Sequence, residues 1–134
     1  MNRIEKAVNL KSSGACNCCQ AVCSAYSDLV KVSEADLMKI ASGFCLGFGT
    51  MEGTCGALVG ANIILGLINE SGPTLKLSRN LITDFKNLSG ATKCGDLKGV
   101  TTGKMLCSCN DCVKNASIVL EKTLKDNNLF KEEK

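Results

Sequence analysis

At 134 residues the chain has the length of one domain, enough for an apolar core without disulfide staples. A formal charge of +3, with no basic stripe interleaved with aromatics, argues against a nucleic-acid surface. Histidine is absent, which excludes a Cys–His nucleophile pair, mixed Cys/His zinc sites and histidine-ligated haem, and leaves ten cysteines as the conspicuous chemistry.

Four Phe, one Tyr and no Trp imply an aliphatic core, and a single Pro with long stretches free of turn signals favours helices. The start, Met1-Asn2-Arg3-Ile4-Glu5-Lys6-Ala7, lacks the apolar segment of a secretion signal, so a cytoplasmic location is expected. In that compartment abundant cysteine points to metal or redox chemistry rather than a disulfide framework.

Ile4, Ala7 and Val8 share a face and predict a short helix over residues 3–12, ended by Ser12-Ser13-Gly14. Asn17 and Gln20 form a capping-box signature. Behind it, Cys19, Val22, Cys23 and Tyr26 point toward the core, with Cys18, Ala21 and Ala25 on the flank. Ser33-Glu34-Ala35-Asp36 opens a third helix whose inward stripe reads Leu37, Ile40, Ala41 and Phe44. Four glycines between Gly43 and Gly53 predict a turning loop, either a tight connection or a cradle for an anion or cofactor.

The run from Thr54 to Ile68 carries no charge and is apolar or small on all sides, so it reads as a buried helix. Its 15 residues fall short of the roughly 20 needed to cross a bilayer, and no membrane span is expected. Gly56 and Gly60, with Ala57 and Ala61, form a ladder of small residues that lets neighbouring helices approach. After the Ser71-Gly72-Pro73 break, Leu77, Leu81, Ile82, Phe85 and Leu88 mark an amphipathic helix ending near Gly90. Residues 91–108 read as irregular. Ser108 caps a last helix with Cys109, Cys112, Val113, Ala116, Val119, Leu120 and Leu124 inward, and the tail 127–134 is expected to fray. The expected fold is all-α, a compact single-domain bundle over 1–134 of about five to six helices around the central one, about 54–69.

The cysteines fall at particular places. Cys18 follows Asn17, Cys55 follows Thr54 and Cys109 follows Ser108, each at a first helical position behind a capping residue. Cys94, two residues after Thr92, opens a short turn in the same manner. Helix N-termini favour the thiolate, which is both the nucleophile and the metal ligand. Cys55 and Cys109 are therefore expected to alkylate at lower pH than Cys23 or Cys45, which read as packing residues. Cys16-x-x-Cys19 and Cys109-x-x-Cys112 have the spacing of a disulfide or a metal chelate, and with Cys107 nearby they point to a four-thiolate site if the fold joins them. Gln20 and Val113, not histidine, follow these pairs, so covalent haem attachment is excluded.

These residues resemble a family of small bacterial and archaeal proteins named for its Cys…Gly-Cys-Ala-x-x-Gly…Cys…Cys pattern and described as redox-active. The core of the pattern is Cys55-Gly56-Ala57-Leu58-Val59-Gly60, and the upstream element is Asn17-Cys18-Cys19-Gln20-Ala21-Val22. Cys94 ahead of Gly95-Asp96-Leu97 and Cys109 ahead of Val113 and Ala116 complete it, over about residues 5–122. The family is similar to a helical domain that carries haem in one relative, which the missing histidine does not allow to transfer here. Cys16, Cys19, Cys23, Cys45, Cys107 and Cys112 exceed the four characteristic cysteines.

Three readings follow. In the first, Cys18, Cys55, Cys94 and Cys109 converge as the reactive set of a thiol/disulfide or electron-transfer protein that works with a redox partner protein. In the second, the same four hold zinc, copper(I) or an iron–sulfur cluster, with Cys16, Cys19, Cys107 and Cys112 enlarging the cofactor site. In the third, a helical interaction module uses its cysteines for packing.

Overall fold

The computed structural model describes residues 1–70 and 72–130. Among the described residues there are seven α-helices and no strand. They are α1 (Arg3–Ser12), α2 (Cys18–Ala25), α3 (Glu34–Ile40), α4 (Gly56–Ile68), α5 (Thr74–Ser89), α6 (Cys94–Lys98) and α7 (Cys109–Asp126). The fold is all-α, and no helix among the described residues is long and apolar enough to cross a membrane.

α4 is the central helix, packed most extensively against α2 and also against α7 and α5. The small-residue ladder explains how α2 comes so close. A Cβ placed on Gly60 would lie 2.7 Å from the Cys19 carbonyl oxygen and 3.3 Å from Val22 Cβ. One on Gly56 would lie 2.6 Å from Cys18 Sγ and 2.8 Å from the Phe44 carbonyl oxygen. α2, α4 and α7 share one apolar cluster that includes Val22, Leu58, Ile64, Leu65, Val113 and Leu120. Tyr26, buried at the end of α2, ties that helix to α7 by donating its hydroxyl to Glu121 at 2.5 Å.

The capping signatures at Asn17, Ser33 and Ser108 form as read, with the Asn17–Gln20 box reciprocal. Elsewhere the elements depart from expectation. Thr54 does not cap α4: it forms an isolated antiparallel bridge with Lys93, and Cys55 itself occupies the N-cap position in extended backbone. Ile40 is 48% exposed, because α3 tightens into a 3-10 turn at Ala41 and its inward face rests on Leu37 and Ala41, with Met38 and Phe44 partly buried beside them. In α5 the inward stripe is Ser78, Leu81, Phe85 and Ser89, leaving Ile82 and Leu88 outward. Residues 91–108 hold α6, a single turn too short to show a periodic apolar pattern. The tail returns to the core at Phe130, which is buried under the Arg3 guanidinium and Lys125 ammonium, 5.2 and 5.8 Å from its ring centre. Apolar burial and two cations over one ring outweigh the polar composition around it. The expectation of fraying for 131–134 falls outside the described residues.

Candidate functional site

Seven of the ten cysteines line one small cavity at the amino end of α4: Cys18, Cys45, Cys55, Cys94, Cys107, Cys109 and Cys112. The cavity measures about 50 Å³ and is completed by Leu46, Leu97, Gly56 and two lysines, Lys11 and Lys98. All four residues expected to converge do so. Cys107 and Cys112 join them, while Cys16 and Cys19 lie off the cavity wall. All ten cysteines are free thiols in this structure.

Local features of the chain place each thiol. The Asn17 box starts α2 at Cys18, and the absence of a side chain at Gly56 admits its sulfur against α4. Cys55 and Cys94 are set beside each other by the bridge: Cys55 N–H donates to the Thr92 carbonyl at 2.8 Å and Cys94 N–H to the Gly53 carbonyl at 3.0 Å. The Leu97 carbonyl accepts from both Leu106 and Cys107 N–H, at 2.9 and 3.2 Å, which fastens the 99–107 loop and presents Cys107. Ser108 then caps α7 and turns Cys109 and Cys112 inward.

Cys45 is the thiol that periodicity assigned to packing. It reaches the cavity because the chain after it takes left-handed backbone at Leu46, Phe48 and Met51, with φ of 56°, 61° and 64°. Such conformations cost about 1–3 kcal/mol each for non-glycine residues and cluster where surrounding structure enforces them. Gly47, also left-handed, presses on Cys94, whose Cβ would be 2.8 Å from a side chain there. The glycine density between 43 and 53 was the available signal; the register of Cys45 was not.

The thiols differ sharply in their electrostatics. Cys55 is lowered from 9.0 to about 7, first by its interaction with the Cys112 thiol, whose S–H also points to the Cys107 carbonyl at 3.8 Å; the Leu58 and Ala57 amides and the charge of Lys98 assist, against the cost of burial. Cys112 is correspondingly pushed up, by that same interaction and by burial. Cys18 is pushed up to about 12, by burial first and then by the neighbouring Cys45 and Cys55. A well-capped helix start therefore does not by itself make a thiolate. Cys94 is raised by burial. Lys98 donates its ammonium to Cys109 Sγ; burial pulls the lysine down, but the sulfur charges prevail and raise it. Asn115 donates to Cys107 Sγ at 3.7 Å and to Ser89 Oγ at 3.0 Å, steadying the other side of the α7 start.

The remaining cysteines have a different setting. Cys19 and Cys23 are fully buried on the packing face of α2, where the Cys23 thiol points to the Gly60 carbonyl at 3.8 Å. Contact with Cys23 and burial push Cys19 up. Cys16 is half-buried, and burial pushes it up as well. Among the described residues no group of three or more Cys, Asp or Glu side chains is arranged to hold a metal ion.

No curated protein and no solved structure matches the chain. The family model described as "Putative redox-active protein (C_GCAxxG_C_C)" matches residues 16–123 and so covers Cys18, Cys55, Cys94 and Cys109 together. On that match, over most of its length, the chain belongs to the C_GCAxxG_C_C family.

Proposed function

We propose that the cavity is a dithiol/disulfide couple in which Cys55 and Cys112 are the inner pair and Cys109 the outer thiol. The observation that carries this reading is the single small cavity that Cys55, Cys109 and Cys112 line together, with Cys55 pulled toward the thiolate at neutral pH and Cys112 pushed up. Closing the pair joins the two sulfurs and releases two electrons and the Cys112 proton. Cys109, half-buried beside Lys98 and Cys-x-x-Cys spaced from Cys112, passes those electrons outward to a partner protein's disulfide. There Cys109 displaces one partner sulfur, and Cys112 displaces the other from the mixed disulfide. Cys55 then attacks Cys112, freeing Cys109 and leaving the inner disulfide. Cys18 and Cys94, both pushed up, stay protonated around this pair.

A second reading is favoured by the number of thiols, seven where a relay needs three. A zinc or copper(I) ion or an iron–sulfur cluster held by Cys18, Cys55, Cys94 and Cys109 would offset the burial and the neighbouring sulfurs that hold Cys18 up. Metal analysis of protein purified without oxygen separates the two. The couple predicts colourless, metal-free protein that loses two free thiols per chain on mild oxidation. Brown, iron-bearing protein contradicts it in favour of the cluster. Thiol chemistry and metal content both unchanged in Cys55→Ser would contradict both and leave a packing role.

A further inference from the structure

The size and charge of the cavity restrict what can meet the inner pair. Cys55 and Cys112 are 6% and 4% exposed, too buried for a folded partner's disulfide to align with either sulfur. By a measure on which one water needs roughly 10–15 Å³, a 50 Å³ space takes a few heavy atoms and no peptide thiol. The charged side chains on its wall are Lys11 at the end of α1 and Lys98 at the end of α6, both half-buried, and no carboxylate accompanies them. Leu46 and Leu97 also line the space, and apolar lining strengthens the pull of those ammonium groups. The wall offers no serine, threonine or asparagine to cradle an oxyanion; its reactive atoms are sulfurs.

We infer that the species which reduces the inner disulfide is a small inorganic sulfur anion, hydrosulfide in its simplest form, drawn in by Lys11 and Lys98. The inference rests on the dithiol/disulfide reading and names the small reactant of that same site. Hydrosulfide attacks Cys112 Sγ, the Cys55–Cys112 bond breaks, and its electron pair leaves on Cys55 as the thiolate. Cys112 keeps the new sulfur as a persulfide, S–SH. The sulfide sulfur loses two electrons, the disulfide gains them, and no other reactant is required. Cys55 is the better leaving group because the Ala57 and Leu58 amides and Lys98 favour its anion.

The test uses the full chain, oxidised anaerobically with one equivalent of diamide, cleared of reagent, exposed to sodium hydrosulfide and then alkylated for peptide mass mapping. The expected result is one added sulfur atom on the Cys112 peptide and none on the Cys55 peptide. The reaction should slow with added salt, whereas reduction by trimethylphosphine, which attacks as a neutral molecule, should not. Lys11→Gln with Lys98→Gln should slow the hydrosulfide reaction on the order of tenfold, and slow trimethylphosphine less. If that variant does not fold, the salt comparison in the unaltered chain decides. A disulfide that forms but gains no sulfur, or equal salt dependence for the two reductants, overturns the hydrosulfide assignment and leaves the couple standing. Failure of diamide to form the Cys55–Cys112 bond overturns both.

Discussion

The packing face of α2 and the start of α7 carry cysteines at similar density and to opposite effect. On α2, Cys19 and Cys23 are fully buried four residues apart against Gly60, with a carbonyl as the nearest polar group. At α7, Cys107, Cys109 and Cys112 open onto a cavity where Lys98, Asn115 and the α4 amides supply cationic and N–H partners. The first set behaves as small apolar side chains, and the second faces the cavity with a cation and N–H donors beside it. Helix position does not separate them, since Cys18 at a well-formed N-cap is pushed up while Cys55, at a cap position without a side-chain cap bond, is pulled down. Donors aimed at the sulfur, together with the proton on the neighbouring thiol, decide which cysteine is the thiolate.

The comparison breaks most completely by removing one member of the inner pair. Cys112→Ser should abolish the disulfide formed on mild oxidation, whereas Cys19→Ala with Cys23→Ala should retain it, both read by mapping of diamide-treated protein. In Cys112→Ala the thiol that most lowers Cys55 is gone, so its value returns toward 9.0 and its alkylation at pH 7 should fall at least ~10-fold. On the packing side, Gly60→Val forces α2 off α4 and should cost about 1–3 kcal/mol, seen as a lower urea midpoint. Gly66→Ala on the same helix meets nothing within 4 Å and should stabilise by about 0.5–1 kcal/mol. Equal effects at the two glycines would remove the close-packing account of the ladder.

Much of this was legible in the residues. Asn17–Gln20, Ser33 and Ser108 set three helix starts by local chemistry, and Gly56 and Gly60 announced where α2 would press on α4. Pairing across the chain was not legible. The Thr54–Lys93 bridge that seats Cys55 beside Cys94 rests on two isolated backbone bonds with no periodic pattern behind them. Cys45 was hidden because three left-handed residues redirect the chain after it, a tertiary override that no helical wheel anticipates. Lys98 was likewise unmarked, an ordinary surface residue in sequence until the turn at Gly99 brings Cys109 to it.

The central claim is that the cavity makes one thiolate among ten thiols. Its most direct test is the pH profile of alkylation for each cysteine in metal-free, reduced protein, resolved by peptide mass. Below its own pKa Cys55 is protonated and slow; as pH rises through about 7 it should ionise and its rate should climb and level. Cys18, pushed up to about 12, should stay unreactive through pH 9, with Cys19 silent beside it. Ten cysteines rising together near 9, or Cys18 ionising before Cys55, would contradict the account.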